Sequence, residues 1–303
     1  MNNANKLLIL FKYYCVIFIV DIIVINLIMG LHIDFWGVRG SCAQSGPEYM
    51  QGGHTPCVSI KNKEEIILFD AGTGIVNFSE WFENNEKPKS LNILLSHLHF
   101  DHILGIPFFA PLWHGKYEFD FNIYSTIAKE YGGLSTSLNR IIKAPYFPIS
   151  LTQALHPVKF HDIDDFKIYK TLHGSFKSHV LNHPGGSSGY SYTSNCGRKI
   201  VYLSDSGELK GSLYDSIVEF SKNADLLICD TCFTNDEAKK NPSWGHGTVN
   251  YACKIANDSN SFKLALFHHG LYHCDEKIKT LEYNAKKLFP NSFSAKQGQT
   301  IEL

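Results

Sequence analysis

Three histidines and an aspartate lie within six residues of one another, after a short apolar run. The segment contains His97, His99, Asp101 and His102. Neutral imidazole and carboxylate groups are ligands that suit zinc, iron and manganese. If a strand ends here, His97 and His99 point to the same side of it, and Asp101 and His102 follow the turn toward a second ion. The segment therefore predicts a transition-metal site of the kind that two-metal hydrolases use.

This segment resembles the signature of the metallo-β-lactamase superfamily of binuclear metal hydrolases. Other motifs follow in the order of its phosphodiesterase and transfer-RNA 3′ nuclease branch, over about residues 31–282. They are Phe35-Trp-Gly-Val-Arg-Gly-Ser41, Gly52-Gly-His-Thr55, Phe69-Asp-Ala-Gly-Thr-Gly74, His183-Pro-Gly-Gly186, Leu203-Ser-Asp205, Gly245-His-Gly-Thr248 and Phe267-His-His269. The resemblance implies an α/β fold, the four-layer αββα sandwich, with both halves of the chain in one domain.

The resemblance also implies a ligand set for two divalent ions, with zinc expected and manganese or iron as alternatives. One ion would be held by His97, His99 and His183, the other by Asp101, His102 and His268, with Asp205 between them. His269 competes with His268 for one ligand position, and His268 aligns better with the family pattern. A hydroxide bridging the ions would be the nucleophile. Asp70 would orient a metal-bound histidine from behind.

The motif around His246 narrows the predicted reaction. It resembles the branch in which this histidine acts near the leaving group, and a phosphodiester expels an alkoxide that a general acid assists. Asp230 stands where those relatives have an acidic residue that pairs with the histidine, although the surrounding sequence differs. We therefore predict His246, Asp230 and Asp101 as catalytic residues. The alternative for His246 is a structural residue at the start of a helix.

Three functions fit these motifs. The first is hydrolysis of a phosphodiester, with a cyclic or short nucleotide as substrate. The second is hydrolysis of a carbon-centred bond in a lactone, thioester or β-lactam, which would need no histidine at the leaving group. The third is a diiron redox protein or a silent binding module; diiron redox relatives have a glutamate at the position of His99.

Composition narrows the partners. The 303 residues are 44% hydrophobic and 19% charged, which is ordinary for a globular protein with a large core. The formal net charge of −1 argues against binding long nucleic acid mainly through its phosphates. The chain also lacks an evident basic, Gly-rich arm for a large RNA. These features predict a small-molecule phosphodiester as partner and no strong nucleic-acid contact; the resemblance also allows a homodimer.

Eight cysteines are scattered along the chain without the dense spacing of a secreted disulfide scaffold. Cys229 and Cys232 form a C-x-x-C pair, but an apolar run precedes it, so buried reduced thiols are favoured over a redox or zinc-binding pair. The pattern is typical of a cytoplasmic protein.

The first thirty residues form a separate apolar segment. Residues 13–30 are almost wholly apolar and follow Lys6 and Lys12, and their length suits a membrane span. Asp21 near the middle would cost ~2.5–3.5 kcal/mol in a bilayer. Because Met29 directly precedes the first family-like motif, one interpretation takes Met29 as the true start and the residues before it as a mis-assigned extension. The alternatives for residues 1–30 are a membrane anchor and a packed helix. The hydrolase domain is expected over residues 31–303.

Two aromatic, proline-containing stretches have open roles. Residues 104–113 either belong to the core or line a substrate pocket near the metals. Residues 144–149 contain two prolines and cannot form a regular helix. They are a candidate lid, pocket wall or dimer contact.

Overall fold

The computed structural model describes residues 30–62 and 64–303. Two seven-stranded sheets lie face to face, and helices cover their outer surfaces. The predicted αββα sandwich is therefore confirmed. Residues 1–29 of the predicted N-terminal extension lie outside the described residues. Among the residues that the structure describes, none of the helices has both the length and the apolar character needed to cross a bilayer.

The first sheet is mixed, with three antiparallel and three parallel pairings. In spatial order its strands are β14 (Thr300–Glu302), β1 (His32–Gly37), β2 (Cys57–Lys61), β3 (Glu65–Phe69), β4 (Ser90–Leu94), β5 (Asp120–Ser125) and β6 (Lys159–Asp162). The second sheet has the same mixture. Its order is β13 (Ser292–Ser294), β12 (Leu264–Phe267), β11 (Leu226–Asp230), β10 (Lys199–Leu203), β9 (Ser187–Ser194), β8 (Gly174–Leu181) and β7 (Tyr169–Lys170).

The α-helices are connections between strands or close the chain. They are α1 (Ile75–Asn84), α2 (Phe100–Ile103), α3 (Pro111–His114), α4 (Leu134–Ile141), α5 (Ser212–Ser221), α6 (Asn235–Lys240), α7 (Val249–Asp258) and α8 (Asp275–Leu288). Short 3₁₀ turns occupy Ile106–Phe108, Ile127–Tyr131 and Leu151–Gln153. Helix α1 shows why such segments pack on a sheet: Ile75, Phe78 and Phe82 recur at helical spacing and are all buried.

The core has three layers of side chains. The layer between the sheets includes Phe35, Phe69, Tyr202 and Phe267, all fully buried. The rings of Phe69 and Tyr202, one from each sheet, stack with centroids 4.8 Å apart. The other two layers lie between each sheet and its helices. Strand β4 is buried from Leu91 to Leu94, as expected for a parallel strand covered on both faces. This packing fixes the strand ends, and the candidate site is built on those ends.

Candidate metal centre

The predicted ligands lie where strands end. His97 follows β4, Asp205 follows β10 and His268 follows β12, while Asp70 follows β3. Strands β3 and β4 are parallel neighbours in one sheet, and β10 to β12 are parallel neighbours in the other. Because the carboxyl ends of parallel strands share one edge, these side chains converge there.

The first cluster joins four side chains. His97, His99, His183 and Asp205 each offer one ligand atom, and these atoms all lie within 4.8 Å of one another. His183 Nε2 lies 3.2 Å from His99 Nδ1 and 3.4 Å from Asp205 Oδ2. Burial lowers the pKa of His97, so its ring is neutral and can donate a lone pair.

The second cluster joins Asp101, His102 and His268, again with ligand atoms within 4.8 Å of one another. Asp101 Oδ2 lies 3.3 Å from the Nε2 atoms of both histidines. Burial alone would lower the pKa of each histidine, but Asp101 and Asp205 outweigh it and raise both. The cluster therefore holds concentrated negative charge that attracts cations.

Asp205 lies between the two clusters. Its Oδ2 faces the first cluster, 3.7 Å from His97 Nε2. Its Oδ1 faces the second, 3.2 Å from His102 Nε2 and 3.0 Å from His268 Nε2. One carboxylate thus presents one oxygen to each group of histidines, the arrangement that a ligand shared by two ions requires.

Two buried nitrogens show that the donor set fits metal ions. His97 Nε2 and His102 Nε2 are fully buried and have no hydrogen-bond partner among residues 30–62 and 64–303. An unpaired buried polar atom costs free energy comparable to a lost hydrogen bond. Both atoms point into clusters of imidazole and carboxylate groups, which are ligands for divalent transition metals. Metal coordination would satisfy both atoms.

Asp70 holds His102 from the side opposite the cluster. Its Oδ2 lies 2.7 Å from His102 Nδ1 and also accepts the hydroxyl of Tyr202 at 2.7 Å. The backbone N–H and the hydroxyl of Ser96 donate to the same carboxylate at 2.7 and 2.9 Å. This network fixes the His102 tautomer, with Nε2 toward the cluster. Asp70 therefore lies behind a predicted ligand histidine, which is the place that the resemblance implied for it.

We expect Asp70→Asn to weaken metal binding about 10- to 100-fold, because an amide cannot hold the His102 ring as a carboxylate does. Competition against a chromogenic chelator would measure the change. Asp120→Asn, at an exposed carboxylate on β5, is the matched control. Unchanged metal affinity in Asp70→Asn would show that His102 is not a ligand or needs no such support.

His183 and His268 are held by close backbone approach. His183 Nδ1 lies 3.0 Å from the carbonyl oxygen of Gly245, and a Cβ on Gly245 would come within 2.6 Å of Pro184. A Cβ on Gly40 would come within 2.6 Å of His268 Nδ1. Both glycines thus leave room for the histidine rings, which gives the two Gly-containing motifs a physical role.

The structure places His268, and not His269, in the cluster. His269 points away, with Nε2 2.8 Å from the carbonyl oxygen of Ala295. Burial lowers the pKa of His269 to about 3, so its ring is neutral. His268 therefore faces the acidic cluster, whereas His269 hydrogen-bonds to the segment that follows β13.

The pair predicted from the His246 motif is also brought together. His246 Nδ1 lies 3.0 Å from Asp230 Oδ2 and 3.9 Å from Asp205 Oδ2. Asp230 is fully buried, and its carboxylate also accepts the backbone N–H groups of Ser206, Cys232 and Gly247. Burial would lower the pKa of His246, but Asp230 and then Asp205 outweigh it and raise it. His246 thus sits beside the two clusters with its ring orientation fixed.

The backbone is strained at three of these positions. Asp70, Asp205 and His268 have φ values of 58°, 52° and 57°. Residues other than glycine adopt such angles rarely, and strain of this kind concentrates at functional sites. Asp70 and His268 directly follow strands, and Asp205 follows β10 after one residue, so the left-handed turn redirects each side chain toward the site.

Sequence reasoning missed several supporting groups. The backbone N–H of Ser41 donates to Asp101 Oδ2 at 2.8 Å, and Tyr202 and Ser96 hold Asp70. The buried guanidinium of Arg39 donates to the carbonyl oxygens of Gly52, Gly270 and His273, which fastens the loop after His268. Ser41 and Arg39 belong to the motif of residues 35–41, but Tyr202 carries no local signal.

Cys229 and Cys232 are buried free thiols, and the sulfur of Cys232 lies within 4.8 Å of ligand atoms of Asp230, His246 and His268.

Comparisons with known proteins show the family and the fold of this chain. The family model described as a β-lactamase superfamily domain matches residues 65–269. Ribonuclease Z of Pyrococcus horikoshii is 25% identical in an alignment 288 positions long that covers 79% of this chain and 89% of the relative. The metallo-β-lactamase fold protein YhfI of Bacillus subtilis covers 90% of this chain and 100% of its own, with a TM-score of 0.69 and 21% identity. The short form of human tRNase Z covers 89% and 98%, with a TM-score of 0.64 and 18% identity.

One prediction is wrong. The sequence predicted a small-molecule partner and no strong nucleic-acid contact, but the names of the Pyrococcus and human proteins describe nucleases that act on RNA. A net charge summed over the whole chain says nothing about where cationic side chains lie, and that inference failed for this reason.

The predicted enzyme class is confirmed: the chain is a metal-dependent hydrolase of the phosphodiesterase type, with a divalent-metal site.

Proposed function

This chain belongs to the β-lactamase superfamily, and we propose that it hydrolyses a phosphodiester bond of RNA at a centre of two divalent metal ions. The observation that carries the proposal is the position of Asp205, whose two carboxylate oxygens face two separate groups of histidines. The substrate that we propose is a transfer RNA with a 3′ extension, because the relatives with ribonuclease and tRNase names resemble this chain over most of its length.

Seven side chains would hold the ions. His97, His99 and His183 would hold one, Asp101, His102 and His268 the other, and Asp205 both. Zinc is the metal that we propose, since imidazole suits it well. Bound ions would supply a nucleophile from water near neutral pH and withdraw negative charge from the scissile phosphate. Seven ligands for two ions leave coordination positions open, as a catalytic site requires.

His246 would deliver the proton to the leaving group. Because Asp230 accepts a hydrogen bond from Nδ1 of the protonated ring, Nε2 carries the other proton. The water oxygen bonds to phosphorus, and the bond between phosphorus and the leaving oxygen breaks with its electron pair on that oxygen. His246 Nε2 gives its proton to that oxygen, which becomes the new hydroxyl, and the proton released by the attacking water restores His246, so that the net reaction consumes one water.

Two substrates test this proposal. Purified protein is loaded with zinc and given a 3′-extended transfer RNA, or bis(p-nitrophenyl) phosphate as a minimal phosphodiester. We expect both to be cleaved, both activities to stop on chelation and return on adding zinc, and metal analysis to give two ions per chain.

The outcomes separate the parts of the proposal. Cleavage of the minimal diester without cleavage of RNA would reject the RNA substrate. A single ion per fully active chain would reject the binuclear centre. If neither phosphodiester is cleaved by zinc-, manganese- or iron-loaded protein, the assignment of the reaction is wrong.

A further inference from the structure

An aromatic groove opens directly from the first histidine cluster, and no step described above uses it. Its inner compartment has a volume of about 400 Å³ and is lined by His97 and His99 together with Phe100, Tyr131 and Arg140. Its outer compartment, of about 430 Å³, is lined by Phe100, Phe108, Arg140, Tyr146 and Phe147. Each volume lies within the range of about 300–1,000 Å³ that is usual for ligand sites.

The two compartments share Phe100 and Arg140, so they form one path that leads away from the metal centre. The outer compartment includes residues of both stretches whose roles the sequence left open, whereas the inner compartment includes none of them. Ile106, Phe109 and Leu112 of the first stretch are buried in the core, whereas Phe108 points outward. Tyr146 and Phe147 of the second stretch form the outer wall.

The aromatic side chains of the groove are unusually exposed. Phe100 is 67%, Phe108 54% and Tyr146 76% exposed. Large aromatic side chains are rarely left in water next to one another unless a ligand covers them. Their flat faces suit the faces of nucleobases, which stack on aromatic side chains in single-stranded RNA complexes.

Arg140 adds a positive charge between the two compartments. Its guanidinium donates to the carbonyl oxygen of Tyr131 at 3.2 Å. Within the described part of the chain, Arg140 takes part in no ion pair with a carboxylate. A guanidinium without a carboxylate partner, set between two aromatic compartments, is placed to pair with the phosphate that links two stacked nucleotides.

A second pocket beside the centre has a different character. The pocket that includes His246 is lined by polar and charged groups, among them Glu208, Lys210, Asn235 and Lys239. A strand whose scissile phosphate lies at the centre would therefore extend into a polar pocket beside His246 and into the aromatic groove beside His97 and His99. Since the leaving oxygen lies on the His246 side, the groove receives the fragment that keeps the phosphate.

We propose that the aromatic groove binds the two unpaired nucleotides next to the scissile phosphate on the fragment that keeps this phosphate. The base nearer the metal centre stacks in the inner compartment, against Phe100. The next base stacks in the outer compartment, between Phe108 and Tyr146, and Arg140 pairs with the phosphate between the two. This subsite rests on the proposed RNA substrate and would make cleavage depend on single-stranded RNA at this position.

Tyr146→Ala and Phe108→Ala test the groove away from the metal ligands. With 3′-extended transfer RNA, each is expected to raise KM about 5- to 100-fold, the loss that removal of one stacking partner produces. Their kcat with bis(p-nitrophenyl) phosphate should stay within about twofold of the parent value, because that substrate is too small to reach the outer compartment. Tyr283→Ala, at an exposed tyrosine on α8, is the matched control and should change neither.

Abasic nucleotides separate stacking from a structural effect. Once the cleavage position is mapped, an abasic residue two nucleotides from the scissile bond should raise KM for the parent protein by a similar factor. In Tyr146→Ala it should add little, because the stacking partner is already gone. Fully additive losses, or an unchanged KM in both variants, would overturn the subsite.

A binding measurement covers the case in which RNA is not cleaved. A short oligoribonucleotide containing 2-aminopurine should lose fluorescence as it stacks on the parent protein, and less so on Tyr146→Ala and Phe108→Ala. Binding without cleavage would reject the proposed function and keep the subsite. Equal binding by parent and variants, or loss of a dimer as the only effect of the substitutions, would reject the subsite and leave the proposed function standing.

Discussion

An Asp205→Asn variant is expected to lose phosphodiester hydrolysis by roughly 10³-fold or more, since a metal centre supplies several kcal/mol of transition-state stabilisation. Both oxygens of this carboxylate face histidines of the two clusters. An amide offers one neutral oxygen and one NH₂ group, whose positively polarised hydrogens repel a cation. Metal analysis should therefore show fewer than two ions per chain, and kcat with bis(p-nitrophenyl) phosphate should fall together with the metal content.

The control for this variant is Asp236→Asn, at an exposed carboxylate of α6, which should keep full activity and metal content. Circular dichroism should show the same secondary structure in both variants. An Asp205→Asn protein that binds two ions and turns over at the parent rate would rule out Asp205 as the shared ligand.

His246→Ala is expected to separate two substrates by their leaving groups. Loss of a positioned general acid should slow cleavage of RNA, whose leaving group is an alkoxide, by about 10²–10⁴-fold. Hydrolysis of bis(p-nitrophenyl) phosphate should change little, because p-nitrophenolate leaves as a stable anion without a proton. The measurement is the ratio of the two kcat values in the parent and in the variant.

Two further variants complete this experiment. Asp230→Asn should show the same substrate-dependent loss to a smaller extent, since it leaves His246 in place but removes the carboxylate that orients it. His32→Ala, at an exposed histidine far from the site along the first sheet, should behave as the parent. Equal losses on both substrates would assign His246 to substrate binding or metal support rather than to proton delivery.

Strand β4 and the helices α1 and α8 could be predicted because the sequence patterns that indicate them are local. The apolar run before His97 becomes the buried strand β4, and the periodic apolar residues of 75–84 and 275–288 become helices with those bounds. Helix α8 begins with Asp275 and Glu276 and has Lys286 and Lys287 in its last turn, a charge order that favours a helix of that length.

The edges of the sheets could not be predicted in the same way. Strands β6, β13 and β14 are three or four residues long, which is too short for a repeating pattern of polar and apolar residues to stand out. Each is a strand because a partner lies beside it: β14 pairs with β1, which is more than 260 residues away along the chain. Contacts of this range leave no mark in a short window of sequence.

The same distinction applies to the site. The sequence motifs include Asp70 and His102, which lie 32 residues apart along the chain. They do not include Tyr202, whose hydroxyl donates a hydrogen bond to Asp70 although the two residues are 132 positions apart. A tyrosine in an apolar strand looks like any core residue until the opposite sheet is known. The choice of His268 over His269 likewise depended on a family pattern in the sequence, whereas the structure gives the physical reason, because His269 is already bonded to Ala295.

The centre is assembled from both halves of the chain, with His97 to His102 from the first sheet and Asp205 and His268 from the second. Two ions at this edge would act as a reversible cross-link between the sheets. Since unfolding must separate the ligands, each tenfold rise in free metal above its Kd adds about 1.4 kcal/mol per ion to the free energy of unfolding. Metal supply would then set the lifetime of the protein as well as its turnover.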